Sequence, residues 1–175
     1  HLDLVHQKLD PGHIVILAWW LTTEFSGAVA HLALASNPIG DKAMIPLLGT
    51  LKDIPLISFD ISNTNCGVST ASKLAELLTE ETKFKAAVAS LCCANNPGMV
   101  GELDRYGDLK TPDVHAEVFK QLTDSLKTSK VTEADFSSCG IGPVALGHLS
   151  DWVRDATGAI ARLVLNGNMI TNYGK

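Results

Sequence analysis

The chain has 175 residues, 46% of them apolar and 19% charged, a balance that supports one domain with a substantial core and excludes an intrinsically disordered segment. Its net charge of −5, from 14 basic against 19 acidic residues, includes no Lys/Arg run, so nucleic acid is not an expected partner. The longest apolar run, Ile14 to Leu21, falls well short of the ~18 residues that span a bilayer and follows no basic N-terminal region, so neither membrane insertion nor a signal peptide is expected.

The first predicted element is a short strand motif, Leu2-Asp3-Leu4-Val5-His6-Gln7-Lys8-Leu9-Asp10, followed by a helix over the apolar run that carries Leu17 and Leu21. The second is Leu32-Ala33-Leu34-Ala35-Ser36-Asn37-Pro38-Ile39-Gly40, followed by a helix that starts at Asp41 and carries Leu47 and Leu51. Pro46 and Gly49 predict that this helix is short or broken near its start. The third, Phe59-Asp60-Ile61-Ser62-Asn63-Thr64-Asn65-Cys66-Gly67, precedes a helix with Leu74 and Leu78. The fourth, Leu91-Cys92-Cys93-Ala94-Asn95-Asn96-Pro97, precedes a helix that starts at Thr111-Pro112 and carries Leu122 and Leu126. The fifth, Ala134-Asp135-Phe136-Ser137-Ser138-Cys139-Gly140-Ile141-Gly142, runs into a helix opened by Pro143, and the sixth is Leu163-Val164-Leu165-Asn166-Gly167-Asn168-Met169-Ile170. Strands are therefore expected near 2–4, 32–34, 59–61, 91–93, 134–136 and 163–165, at intervals of 30, 27, 32, 43 and 29 residues.

The register extends past the strands. Moving Leu9, Leu17 and Leu21 on by 30 residues reaches Ile39, Leu47 and Leu51; a further 27 reaches Cys66, Leu74 and Leu78. Moving the second set on by 102 reaches Ile141, Leu149 and Val153. Within a strand, Leu32 and Leu34 point one way into a core, while Ala33 and Ala35 point the other way. One strand–helix unit cannot bury its apolar face alone, so neighbouring units must stack for the core to become continuous.

This pattern resembles the leucine-rich repeat LxxLxLxxN/CxL of the ribonuclease-inhibitor-like subclass, and the resemblance covers nearly the whole chain. It implies an α/β fold: a leucine-rich repeat solenoid, or horseshoe, with a parallel concave β-sheet and convex helices. Residues 1–175 would form a single domain of about five to six repeats. In the family the Asn after the strand bonds backbone groups of the neighbouring turn. Asn37, Asn96 and Asn168 match it, and Cys139 matches the alternative residue type. Gln7 and Thr64 depart from it, which leaves the ladder of turn bonds open at those two turns.

Both ends look cut. The chain opens inside a strand motif at Leu2 and closes after another at Asn172-Tyr173-Gly174-Lys175, without the polar caps that solenoids need, so a piece of a longer array, or one capped by other chains, is expected. In the first helix Val15 and Trp19 fall where solvated residues belong, while Ile16, Leu17, Trp20 and Leu21 fall inside. Neighbouring repeats or chains covering Val15 and Trp19 are expected, with a partner-binding apolar patch as the alternative. The interval of 43 residues holds an insertion of about 16, residues 97–112 from Pro97 to Pro112. Such insertions map to loops on one edge, often a binding edge, with a passive excursion as the alternative.

Few residues invite catalysis. Gly140-Ile141-Gly142-Pro143-Val144-Ala145 fits GxGxxA, but Asn166 stands where a dinucleotide site would end its next strand in an acid, and the repeat already explains Ile141 as core and both glycines as turn. The six histidines are scattered, with no paired ligand spacing, so no metal and no cofactor is expected. Cys66, Cys92, Cys93 and Cys139 form no CxxC pair and read as free thiols of a reducing, intracellular compartment such as the cytoplasm, with a secreted, disulfide-bonded protein as the alternative. Strand alternation puts Cys93 in the core and Cys92 on the opposite face, where no local base activates it. Asp3, Asp60 and Asp135 share one strand position, either as an acidic stripe or, the favoured reading, as ordinary solvated residues.

The function these features imply is a protein–protein interaction scaffold without catalytic activity. Its concave face would present Asp60, Ser62, Asn63, Cys92, Ala94, Asn95, Asp135, Ser137 and Asn166, beside small residues such as Ala33, Ala35, Ser36, Ser138 and Val164. The insertion would add Met99, Leu103, Arg105 and Tyr106, with residue types enriched at interface anchors. Alternatives are a GTPase-activating protein similar to the repeat-type activators of Ran, a sensor array of an innate-immune-type receptor, and a structural subunit of a large assembly. The first would require a catalytic loop on the repeat edge and an acidic tail; the others would declare themselves in flanking domains.

Overall fold

Six short strands form one parallel sheet, in sequence order, in the computed structural model, which describes residues 1–23 and 28–171. The strands of this sheet are β1 (Leu2–Asp3), β2 (His31–Ala33), β3 (Ser58–Asp60), β4 (Ser90–Cys92), β7 (Glu133–Asp135) and β8 (Arg162–Val164). Between β4 and β7, strands β5 (Glu102–Leu103) and β6 (Leu109–Thr111) form a separate antiparallel pair. The helices are α1 (Pro11–Leu21), α2 (Gly40–Leu51), α3 (Val68–Thr79), α4 (Lys83–Ala87), α5 (Ala116–Leu126) and α6 (Pro143–Asp155). The closing segment Asn172–Lys175 singled out in the sequence lies outside the described residues. No described helix is long and apolar enough to cross a membrane.

Register explains the layering. Leu2, Leu32, Phe59, Leu91, Ala134 and Leu163 stand side by side across the sheet, and the four central ones are buried. The helices pack α1 on α2, α2 on α3, α3 on α5 and α5 on α6, so they share the face that these residues enter. Phe59 against Phe84 and Phe119 against Phe136 meet edge to face inside this layer. The other face of the sheet carries no helix among the described residues.

As each strand leaves the sheet a residue takes the left-handed region, His6, Ser36, Asn63, Asn95, Ser138 and Gly167, at φ between 51° and 71°, and Lys8, Asn65 and Gly140 repeat it two residues on. Asn and Gly tolerate that conformation best, which accounts for their recurrence after the strands. The side chains of Asn37, Asn96 and Asn168 then tie adjacent turns together. Asn37 Nδ2 donates to Leu4 O at 2.8 Å in the preceding unit and to Leu34 O at 2.8 Å, while its Oδ1 accepts from Leu9 N at 2.9 Å. Asn96 repeats the pattern toward Ile61 O, Thr64 N and Cys66 N, and Asn168 toward Phe136 O, Cys139 N and Ile141 N.

These asparagines occupy every second turn, and the turns between them use other means. The Thr64 hydroxyl donates to Ile61 O, and its carbonyl accepts from Ile39 N and Gly40 N of the preceding turn, so the connection expected to be open there is carried by backbone. The Cys139 thiol reaches Cys93 O at 3.2 Å. The Gln7 amide turns back onto Val5 O of its own turn.

Several expectations need correction. Helix α2 runs through Pro46 unbroken: burial of Ala43, Met44, Leu47, Leu48 and Leu51 outweighs the one amide donor that proline removes. In α1 the buried residues are Ile14, Ala18 and Leu21, whereas Ile16 is exposed. In α6 the core position belongs to Trp152, and Val153, aligned by register with Leu51, points outward. Helix α5 begins at Ala116 and not at Thr111-Pro112, because Thr111 closes the β5–β6 hairpin and Asp113, at φ 63°, turns the chain. Asp41 does sit in the first turn of α2, but its carboxylate caps the next helix, accepting from Gly67 N, Ser69 N and Thr70 N of α3. Asp113 caps α6 in the same way, through Gly142 N, Val144 N and Ala145 N. The short helix α4 was not legible in the pattern.

Candidate interaction face

The face of the sheet away from the helices carries, strand by strand, Asp3, Ala33, Asp60, Cys92, Asp135 and Val164 in one row. The residues before the core positions form a second row of His31, Ser58, Ser90, Glu133 and Arg162. Sequence reasoning missed the last four because the strands start one residue earlier than the pattern motif; extending the alternation one step back finds them. Ser62 and Ser137, half-buried, and the exposed Asn166 continue the face where the strands end. Asn63 and Asn95 follow in the left-handed turns and are exposed, whereas Ala94 is covered by its neighbours and offers little surface.

The aspartates of this face have a local task. Asp3, Asp60 and Asp135 each accept, through Oδ1, the N–H two residues on, from Val5 at 3.1 Å, Ser62 at 2.8 Å and Ser137 at 2.9 Å. Asp60 also holds the Ser62 hydroxyl. Each such bond satisfies a backbone donor as the chain leaves the strand. That reason is sharper than mere solvation, and it leaves the second carboxylate oxygens of these residues outside the turn. Asn63 Nδ2 reaches the Ser36 hydroxyl at 3.3 Å, linking neighbouring units along the rim.

Cys92 is half-buried on this face and Cys93 is buried behind it, as alternation requires; all four cysteines are free. Burial pushes the Cys92 thiol up to about 11, and the nearby Asp60 and Asp135 carboxylates push in the same direction. A thiol held protonated in this way is a poor nucleophile. Burial likewise pushes the Cys139 thiol up to about 12. His31 pairs with the Ser58 hydroxyl at 2.8 Å and stacks on His1. Among the described residues no carboxylate holds the other ring nitrogen of His31, so the third member that orients a catalytic imidazole is missing. No group of three His, Cys, Asp or Glu side chains among the described residues could hold a metal ion.

The GxGxxA segment is likewise occupied by structure. Gly140 turns at φ +80°, and a Cβ there would stand 2.5 Å from Pro97 O. Ile141 is fully buried, and the Gly142, Val144 and Ala145 N–H groups that a phosphate would need already donate to Asp113.

The insertion divides into a packed base and a projecting hairpin. Met99, expected on the loop surface, is buried in the core together with Val100, whose N–H donates to Cys139 O and whose carbonyl accepts from His115 N. Met99 is therefore withdrawn as a contact residue. Beyond Gly101 the hairpin rises on β5 and β6, and the Asp104 carboxylate at its turn accepts from Tyr106 N and Asp108 N. The Arg105 guanidinium lies 4.6 Å over the Tyr106 ring and donates to its hydroxyl, and the tyrosine remains 74% exposed. Leu103 is exposed beside them. This pairs a cation with a large aromatic surface on a braced turn.

No family model and no curated protein matches the chain. The structure by itself defines an α/β protein with a six-stranded parallel sheet, one face of which carries no helix among the described residues.

Proposed function

We propose that this chain is a leucine-rich repeat module of the ribonuclease-inhibitor-like subclass and that it binds another protein, without chemistry of its own. On this reading the strand–helix units are repeats of a solenoid, the open sheet face is its concave side, and the helices form its convex side. The observation that carries the reading is the contrast between the two faces of one sheet. One face is closed by side-by-side helices; the other presents parallel rows in which Ala33, Ser58, Ser90, Cys92 and Val164 stand among Asp3, Asp60, Glu133, Asp135 and Arg162.

Such a face suits a partner that approaches closely across several strands. Ser62, Asn63, Asn95, Asp135, Ser137 and Asn166 would line the contact. Leu103, Arg105 and Tyr106 would add an anchor from the hairpin, arginine and tyrosine being residue types enriched at interface hot spots.

The test is capture from the native source with three baits: the wild-type chain, the face variant Ser62→Arg/Ser137→Arg, and the helix-side variant Glu81→Arg. A protein retained by the wild type and by Glu81→Arg, and lost with the face variant, supports the reading once a purified isotherm reproduces the order. Partners that bind all three baits equally would overturn the placement on the open face.

A further inference from the structure

We propose that the open sheet face takes a basic segment of a partner protein, whose lysine or arginine side chains sit over Cys92 among Asp60, Glu133 and Asp135. This rests on the reading of that face as the binding face and adds the chemistry of the partner. Strands β3, β4 and β7, which carry these residues, each have a strand on either side, so this part of the face is interior to the sheet. No helix covers it among the described residues.

Register fixes the arrangement. Asp60, Cys92 and Asp135 are partners on adjacent strands, so the two carboxylates flank the thiol about 10 Å apart, across two strand spacings. Glu133 stands two residues before Asp135 on the same face, about 7 Å away. The three charges lie within about one Debye length of each other, and their fields add. Asp60 and Asp135 use Oδ1 on the turn N–H groups of Ser62 and Ser137, which leaves Oδ2 of each for a ligand. The Cys92 thiol reports the same field: burial pushes it up, and both aspartates push in the same direction.

The chain itself does not answer this charge. Among the described residues Asp60, Glu133 and Asp135 form no ion pair. Arg162 adjoins Glu133 by register and offsets at most one of the three, while His31 stands at the far end of its row, bonded to the Ser58 hydroxyl. On the helix side, by contrast, Glu76, Glu81, Asp124, Asp151 and Asp155 are each paired with a lysine or arginine. The open face therefore keeps an excess of negative charge. Such a face draws in a cationic partner and turns away an acidic one. The half-buried Ser90 hydroxyl, next to Glu133 in its row, adds an acceptor for an ammonium or guanidinium group.

Fluorescence anisotropy tests this, with the full chain titrated into two labelled peptides, one of alternating Lys and Ala and one of alternating Glu and Ala. The Lys peptide is expected to bind saturably, and about tenfold more weakly when NaCl rises from about 50 to about 300 mM; the Glu peptide is expected not to bind. Asp60→Asn/Asp135→Asn keeps the side-chain oxygen that the turn N–H groups need and removes only the charges, and it is expected to weaken the Lys peptide about tenfold. Glu80→Gln/Glu117→Gln removes the same net charge from exposed helix-side positions and is expected to change binding by less than about twofold. Circular dichroism melts verify that both variants fold; where the aspartate pair does not, Glu133→Gln replaces it. Equal weakening by the two variants assigns the effect to net charge and overturns the proposal, as does a Lys peptide that does not bind or a Glu peptide that does. The captured protein separates this from the reading of the face. A protein lost with Ser62→Arg/Ser137→Arg and also weakened by Asp60→Asn/Asp135→Asn supports a basic occupant. One lost with the first and unchanged with the second leaves the binding face in place and overturns its basic occupant.

Discussion

Replacing Asn96 with alanine removes the amide that joins two neighbouring turns near the centre of the sheet. Asn96 is fully buried; its Oδ1 accepts from Thr64 N at 3.1 Å and Cys66 N at 3.0 Å, and its Nδ2 donates to Ile61 O, Cys93 O and Ala94 O. The three carbonyls keep other donors: the Thr64 hydroxyl on Ile61 O, the Cys139 thiol on Cys93 O and Asn63 N on Ala94 O. The two N–H groups have no other acceptor among the described residues. At about 1–3 kcal/mol for each orphaned buried donor, Asn96→Ala should cost about 2–6 kcal/mol, with water entering the vacated space pulling the figure toward the lower bound. That is a large part of the roughly 5–15 kcal/mol that holds a domain together. Asn96→Asp should be no better, since a second oxygen would then face three carbonyls. Asn166→Ala, at an exposed position, is the control and should stay within about 0.5 kcal/mol. Urea unfolding followed by circular dichroism measures all three. A midpoint shift for Asn96→Ala equivalent to less than about 1 kcal/mol would show that the turn amide is not a structural tie and would refute the reasoning.

Asp113→Ala, which uncaps α6 from the neighbouring unit, should cost about 1–2 kcal/mol in the same melts, and an unchanged midpoint would mean that the cap is incidental. Joining Glu102 to Thr111, paired across the hairpin, by an Asn-Gly turn should leave the melt unchanged, because the removed residues lie outside the core. Deleting all of 97–112 should unfold the domain, because Met99 and Val100 go with it; a folded deletion contradicts their placement. In the native state iodoacetamide should alkylate Cys92 ahead of the buried Cys66, Cys93 and Cys139. With its thiol pushed up to about 11, the rate should rise roughly tenfold per pH unit from 7 to 9, and a plateau below pH 8 would count against that shift.

The strands were legible in the sequence because alternation and spacing reinforce one another across six copies: Leu32, Phe59, Leu91 and Ala134 stand in one row as the register requires. Helix phase was legible only where polar residues mark the outer side. In α1 nearly every residue is apolar, so nothing in the pattern separates Ile16, which is exposed, from Ile14, which is buried. In α6 Trp152 and Val153 are adjacent, and the larger side chain takes the core. The caps made by Asp41 and Asp113 reach helices more than 25 residues further on, a separation at which local start signals carry no information. Of the candidate site, the row that holds Asp60, Cys92 and Asp135 followed from alternation, whereas Ser58, Ser90, Glu133 and Arg162 were missed because the strands start one residue before the motif, and the insertion could not be divided by composition. Met99 and Leu103 are both apolar, and only the packing of Val100 beneath Cys139 and His115 shows that the core ends at Gly101.

Amide hydrogen exchange, compared between the free chain and its complex with the captured protein, tests the proposed binding face most directly. The account predicts slowed exchange in the segments where the strands leave the sheet, 33–36, 60–63, 92–95 and 135–138, and in the hairpin turn at 104–107. Slowed exchange confined to α2, α3, α5 and α6, with those segments unchanged, would contradict it and move the interface to the helices.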